Sequence, residues 1–227
     1  KMLQFDRITK NGTDRIGFSI DTLVIAGWAG RDVAAIEHHI EELAAIGVPR
    51  PSTTPLYYRV AAQTLTQADK LVVLGPDSSG EVEPVVIALA DGLWIGIGSD
   101  HTDRKAETFG IALSKQLCGK PVGRQLWSCA EVEGHWDDLV LRSWATIDGQ
   151  RTLYQESAVS SLRTPRDLIR KYANADTLPT GTLMFCGTPG AIGGIRPAAR
   201  FEMELHDPVL KRSLMHGYDI DVLPVVS

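Results

Sequence analysis

Apolar residues recur at two different intervals along this chain, and the switch between them predicts its elements. Residues 3–8 and 16–25 read as β runs joined through Asn11-Gly12, a dipeptide that favours a tight hairpin. Over residues 31–46 the interval becomes helical: Val33, Ile36, Ile40 and Leu43 fall on one face, with Glu37, Glu41 and Glu42 around the others. Gly47 is the expected C-cap, and Pro49 and Pro51 forbid continuation. After a Pro- and Thr-rich link at 49–55 the pattern returns to short β runs at 71–74, 82–89, 93–97, 139–147 and 181–186. Turns such as Asp91-Gly92 and Asp148-Gly149 bound them. Helices are expected at 102–116 and at 165–172, the second opened by Thr164-Pro165, an N-cap followed by proline at the first helical position. Many strands with few helices imply a curled, mixed, mainly β core.

Composition narrows the class. The chain has 227 residues, 44% hydrophobic and 22% charged, which is the balance of a folded globular protein. Its length suits one elaborated domain. The longest apolar stretch, 84–90 then 93–98, is interrupted by Asp91-Gly92 and falls short of the roughly 20 residues a bilayer span needs, so no membrane segment is expected. The opening residues carry an acid at Asp6 and no signal-peptide pattern, and a cytoplasmic location is the expectation. Cys118, Cys129 and Cys186 are odd in number and scattered, against a disulfide framework or a zinc knuckle. A net charge of −5 argues against nucleic acid as a partner, because phosphate binding is driven by clustered Lys and Arg.

The candidate chemistry is carboxylate. In Gly80-Glu81-Val82-Glu83-Pro84 the two acids alternate on a predicted strand and so share a face. They are either a solvated strand entrance or two ligands for a hard divalent cation. Pattern alone does not choose between these. Pro84 suits an edge strand or a bulge better than a central strand. A third acid, Asp100, lies where the strand at 93–97 runs into a helix, a common place for a functional side chain and equally a place for an N-cap. Lys120 follows in a loop. Later, the strand at 181–186 feeds the glycine-rich Gly187-Thr188-Pro189-Gly190, which is either a turn or a backbone cradle for an anion.

Taken in order, these segments resemble the fumarylacetoacetate hydrolase superfamily, in particular its small acylpyruvase-like members. The likeness covers roughly residues 24–224. It rests on Glu81-Val82-Glu83, on Ser99-Asp100-His101-Thr102-Asp103-Arg104, on Lys120, on Gln155-Glu156-Ser157 and on the loop 187–193. Upstream, His39 and Glu42 on a short helix before a Pro-rich entry are similar to the family's lid helix. The chain departs from the family's pattern in three places. The interval from Glu83 to Asp100 is short, Ser99 stands where asparagine is usual, and Glu107 where glutamine often follows the arginine.

The resemblance implies an α+β, mainly β fold, a mixed β-roll of the superfamily's C-terminal-domain type. Residues 1–48 would form a small N-terminal β extension and lid helix, and residues 49–227 the catalytic roll. It implies Mg²⁺, Mn²⁺ or Ca²⁺ on Glu81, Glu83 and Asp100, a small anionic carbonyl substrate, and a homodimer. The implied activity is hydrolytic cleavage of a C–C bond in a 1,3-dicarbonyl or acylpyruvate-type 2-oxo acid through a metal-stabilised enolate. His39, oriented by Glu42, would act as base, Lys120 and Arg104 would supply positive charge, and Thr188 a hydrogen-bond donor. Decarboxylation, tautomerisation or noncatalytic binding of a small carboxylate on the same site are the alternatives, since one fold carries many functions.

Overall fold

The computed structural model describes residues 1–45 and 49–226, without the side chains of Glu42 and Leu43. Two sheets make the body. Across the larger sheet the strands run Gly12–Ser19, Met2–Thr9, Gln125–Ser128, Gly92–Ser99, Val82–Leu89, Thr182–Phe185, Thr22–Gly27 and Leu56–Val60. The smaller sheet runs Gln150–Ala158, Val140–Ile147, Arg200–Asp207, Arg212–Leu223 and Lys70–Leu74. Both are mixed, because Met2–Thr9 pairs in parallel with Gln125–Ser128 and Lys70–Leu74 pairs in parallel with Arg212–Leu223.

Two cores explain why the central strand Val82–Leu89 is buried at every position. Val82, Val86 and Ala88 face the smaller sheet and meet Leu141, Phe201, Met203 and Tyr218. Val85, Ile87 and Leu89 face the other way, into a core built with Phe5, Leu23, Val60 and Phe185 from the same sheet. A sheet whose distant strands share a core on one face must curl. Gly98 permits it locally, since a Cβ there would lie 2.7 Å from the Phe185 ring.

The expected mainly β composition and the Asn11-Gly12 hairpin are present, with Met2–Thr9 paired to Gly12–Ser19. The expected run at 16–25 is two strands, broken at Ile20-Asp21. The boundary proposed at residue 48 is crossed by the larger sheet: Thr22–Gly27 pairs with Thr182–Phe185, and Met2–Thr9 with Gln125–Ser128. The opening strands are therefore part of the larger sheet, and Leu3, Phe5 and Leu23 join its core.

The helix expected at 31–46 spans Val33–Ala45, and the C-cap proposed at Gly47 lies outside the described residues. The helix expected at 102–116 is two short pieces, Arg104–Glu107 and Ile111–Leu117, parted at Gly110. Thr164 caps the helix Pro165–Ala173 through the Asp167 N–H, as expected.

Pro84 lies in a central strand rather than at an edge or bulge. Its carbonyl accepts from Cys186 N–H at 3.0 Å, just beyond the end of the strand Thr182–Phe185. In an antiparallel ladder one residue's N–H and C=O point to the same neighbour. The N–H that proline lacks would thus face a loop and not a ladder partner.

Candidate functional site

One end of the roll gathers the chemistry. The strands Gly92–Ser99, Thr182–Phe185 and Thr22–Gly27 finish there, and Val82–Leu89 begins there. Register then sets the acids side by side: Val82 pairs with Ser99, and Asp100 N–H donates to Glu81 O at 3.0 Å. Glu81, Glu83 and Asp100 each offer a ligand oxygen, and these oxygens lie within 4.8 Å of one another. They form the floor of a cavity of about 470 Å³.

The charges around this triad are unequally shared. Asp100 is fully buried between two ammonium groups, hydrogen-bonded by Lys115 through Oδ2 and 3.1 Å from Lys120 Nζ through Oδ1. Burial works to raise its pKa, but Lys115 and then Lys120 outweigh it and hold the carboxyl below its ordinary range. Glu81 pairs with Arg104 at 2.9 Å and lies 3.8 Å from Lys115 Nζ. Glu83 makes no ion pair among the described residues; its Oε2 accepts from Gly187 N–H at 2.7 Å. Burial, then repulsion from Asp100 and Glu81, drives its pKa well above the ordinary value.

This donor set fits a hard divalent cation. Asp100 Oδ1 is buried and its ion pair with Lys120 at 3.1 Å lacks hydrogen-bond geometry, an incomplete satisfaction that is costly for a buried polar atom. Glu83 is an acid whose ionisation is opposed by burial and then by its like-charged neighbours. Oxygen donors of this kind are what Mg²⁺, Mn²⁺ or Ca²⁺ prefer, and a cation among them would relieve both penalties.

Other expected residues are placed differently from one another. His39 lines the cavity from the helix Val33–Ala45, its ring 5.9 Å from that of Trp28. The side chain of Glu42, its expected orienter, lies outside the described residues. Lys120 was expected to face the substrate. Instead it has no exposure, donates to His101 O, and is held beneath Asp100 by the short parallel pairing of Lys120–Pro121 with Leu65–Thr66.

The lysine lining the cavity is Lys115, on the helix Ile111–Leu117. Arg104 was likewise expected at the substrate. Its guanidinium is engaged by Ser79 at 2.7 Å, Glu81 at 2.9 Å and Glu107 at 3.3 Å, so it holds Glu81 in place. Thr188 lines the cavity, but its hydroxyl hydrogen is committed to Val82 O at 2.9 Å and its oxygen accepts from Gln155 at 2.8 Å. It pins the loop rather than offering a free donor.

Gln155 ties three segments together: its amide oxygen accepts from Val82 N–H and Ser143, and its nitrogen donates to Thr188 and Pro189 O. His101, next to a candidate ligand, points away from the cavity. Burial, then Lys120 and Arg104, push its pKa down to about 3, so it is neutral. The Tyr218 hydroxyl donates to Ser99 and Ser78 lies 2.8 Å from Nε2, so Nδ1–H donates to Tyr218 and Nε2 accepts from Ser78.

Trp28 lines the cavity from the loop 27–31, as expected of that loop, whereas Lys115 and Tyr58 are cavity residues that sequence reasoning missed. Two lysines follow Asp100 at suitable intervals, and only the break at Gly110 turns Lys115 inward.

The chain belongs to a family of proteins of unknown function, DUF2848, whose profile matches residues 26–218. No curated protein matches it. Solved structures share its fold. Cg1458 superposes with a TM-score of 0.64 at 14% identity, over 99% of this chain and 100% of that one. A 2-keto-3-deoxyarabinonate dehydratase superposes with a TM-score of 0.66 at 14% identity, over 92% and 75% of the two chains. The form of 2-keto-3-deoxy-D-arabinonate dehydratase complexed with magnesium and 2,5-dioxopentanoate gives 0.61 at 14% identity, over the same shares. Among the described residues no helix is long and apolar enough to cross a membrane.

Proposed function

We propose that the protein is a divalent-metal-dependent enzyme of the fumarylacetoacetate hydrolase superfamily, cleaving a C–C bond in a small 1,3-dicarbonyl or acylpyruvate-type 2-oxo acid. The observation that carries this reading is the convergence of Glu81, Glu83 and Asp100 on one cavity floor, with an ammonium, Lys115, on the wall. The shared fold with a dehydratase that binds magnesium and a small dicarbonyl supports it.

Glu81, Glu83 and Asp100 would hold the cation, which when bound supplies Lewis acidity to a substrate carbonyl. Lys115 presents positive charge to the substrate carboxylate or to a developing oxyanion. Arg104 and Gln155 keep the acids and the loop 187–190 in position. An imidazole nitrogen of His39 takes a proton from water, whose oxygen adds to the distal carbonyl carbon. The C–C bond then breaks and the proton passes to the departing carbon, leaving a carboxylic acid and a 2-oxo acid. The lid helix carrying His39 excludes further water. The reading includes a homodimer in the cytoplasm.

Isothermal titration of the chelated protein with Mg²⁺ or Mn²⁺ tests the metal site. Wild type should bind and Asp100→Ala should not; equal binding by both removes Asp100 as a ligand. A screen of acylpyruvates, oxaloacetate, 3-oxo acids and a 2-keto-3-deoxy sugar acid then separates hydrolysis from decarboxylation and dehydration. Turnover undiminished in His39→Ala eliminates the proposed base.

A further inference from the structure

Trp28 and Tyr58 have cavities on two sides. These two residues, with Glu107 and Ile111, also line a second cavity of about 590 Å³. Leu56, Pro51, Phe109, Ile111 and Ala112 give it an apolar wall. Its charged lining groups, Arg50 and Glu107, are already paired with Glu37 and Arg104. A space of this size without an uncommitted charge suits an apolar group and penalises a second ionic one. The Phe109 ring is 80% exposed beside it, apolar surface that an occupant would cover.

The boundary between the cavities is built at some cost. Trp28 has φ 56°, a left-handed backbone that is a genuine outlier for so bulky a residue. Beside it, a Cβ on Gly27 would lie 2.7 Å from Tyr58 Cε2, so the missing side chain lets the phenol ring stand there. Lys115 Nζ lies 5.8 Å from the centre of the same ring. Tyr58 therefore meets the charged centre and the apolar space together.

We propose that this second cavity receives the far end of the substrate, so that the substrate class is a 2-oxo acid or 1,3-dicarbonyl bearing an alkyl or aryl group of hexyl or phenyl size. The proposal rests on the functional reading above and adds a specificity determinant to it. The carboxylate end lies toward Lys115, and the apolar end passes Trp28 and Tyr58.

Calorimetric titration with acetylpyruvate, heptanoylpyruvate and benzoylpyruvate in Mg²⁺ tests it, using wild type and Ala112→Trp, which adds a bulky ring at a residue that lines the second cavity and not the carboxylate one. Each buried methylene should tighten binding about fourfold, giving on the order of 1,000-fold between the acetyl and heptanoyl compounds if all five are buried. Ala112→Trp should reduce that ratio to within about threefold. Butyrate and octanoate, titrated without metal, form a second series. Chain-length dependence in either series that Ala112→Trp removes supports the proposal. Its absence from both, or its persistence in Ala112→Trp, overturns it. If no dioxo acid binds while octanoate still outbinds butyrate in wild type alone, the functional reading falls and the apolar cavity stands.

Discussion

Glu83→Gln is predicted to stabilise the metal-free protein and to abolish its response to a divalent cation. Glu83 is 2% exposed, and its ligand oxygen lies within 4.8 Å of those of Glu81 and Asp100. At that separation each like-charge pair costs about 3.5 kcal/mol at an effective dielectric near 20. Lys115 offsets only part of this, so the native carboxyl holds its proton well above the ordinary 4.5. Native protein then binds more protons than unfolded chain, and its stability falls as pH rises from the unfolded value toward the native one.

The slope is about 1.4 kcal/mol per pH unit. Glutamine keeps the shape and an acceptor for the Gly187 N–H but carries no charge. For each pH unit between the unfolded and the native value the variant should therefore gain about 1.4 kcal/mol on wild type. For a chain of this length that is about 3–6 °C in Tm. Thermal melts of both proteins in chelator at about pH 5.5 and about pH 7.5 measure it, and repetition with Mg²⁺ should raise the wild-type Tm alone. A difference between the proteins that does not change with pH, or an equal Mg²⁺ shift in both, would refute the reasoning.

Gln155→Leu should cost about 2–3 kcal/mol in urea unfolding, because the Val82 N–H and the Thr188 hydroxyl lose their buried partner. Unchanged stability would show that the loop 187–190 is held by other contacts. Asp207 is fully buried and accepts from the Val209 and Leu210 N–H groups and from His135. Burial alone would raise its pKa, but these donors lower it. Its contribution is present above the unfolded value of 3.8 and is lost as pH falls through the native one. Asp207→Asn should flatten the acid limb of a stability–pH curve, and parallel curves for the two proteins would remove Asp207 as its source.

Much of the fold was legible because local pattern and tertiary outcome agreed. Val82–Leu89, the Asn11-Gly12 hairpin and the capped helix Pro165–Ala173 needed only periodicity and turn chemistry. Gln150–Ala158 was not legible, since most of its positions are exposed and polar and its pairing with Val140–Ile147 defines it as a strand. Arg200–Asp207 alternates Phe201, Met203 and Leu205 with polar residues, yet it fell outside the expected elements. The three acids were found correctly as a group, because a strand places Glu81 and Glu83 on one face and a strand end places Asp100 near them.

The order of residues by itself determined a mainly β chain, a hairpin at its start, an early amphipathic helix, and three carboxylates spaced to converge. It also carried the family resemblance. The tertiary structure decided which cation meets those acids in the cavity. Lys115 and Lys120 are both within reach of Asp100, but the turn at Gly110 aims one into the open space and a two-residue ladder buries the other. It likewise decided that Arg104 and Thr188 brace the site, since their polar atoms are consumed by neighbours far away in sequence. The apolar cavity behind Trp28 and Tyr58 belongs to the same kind of fact, because its walls come from segments that only folding brings together.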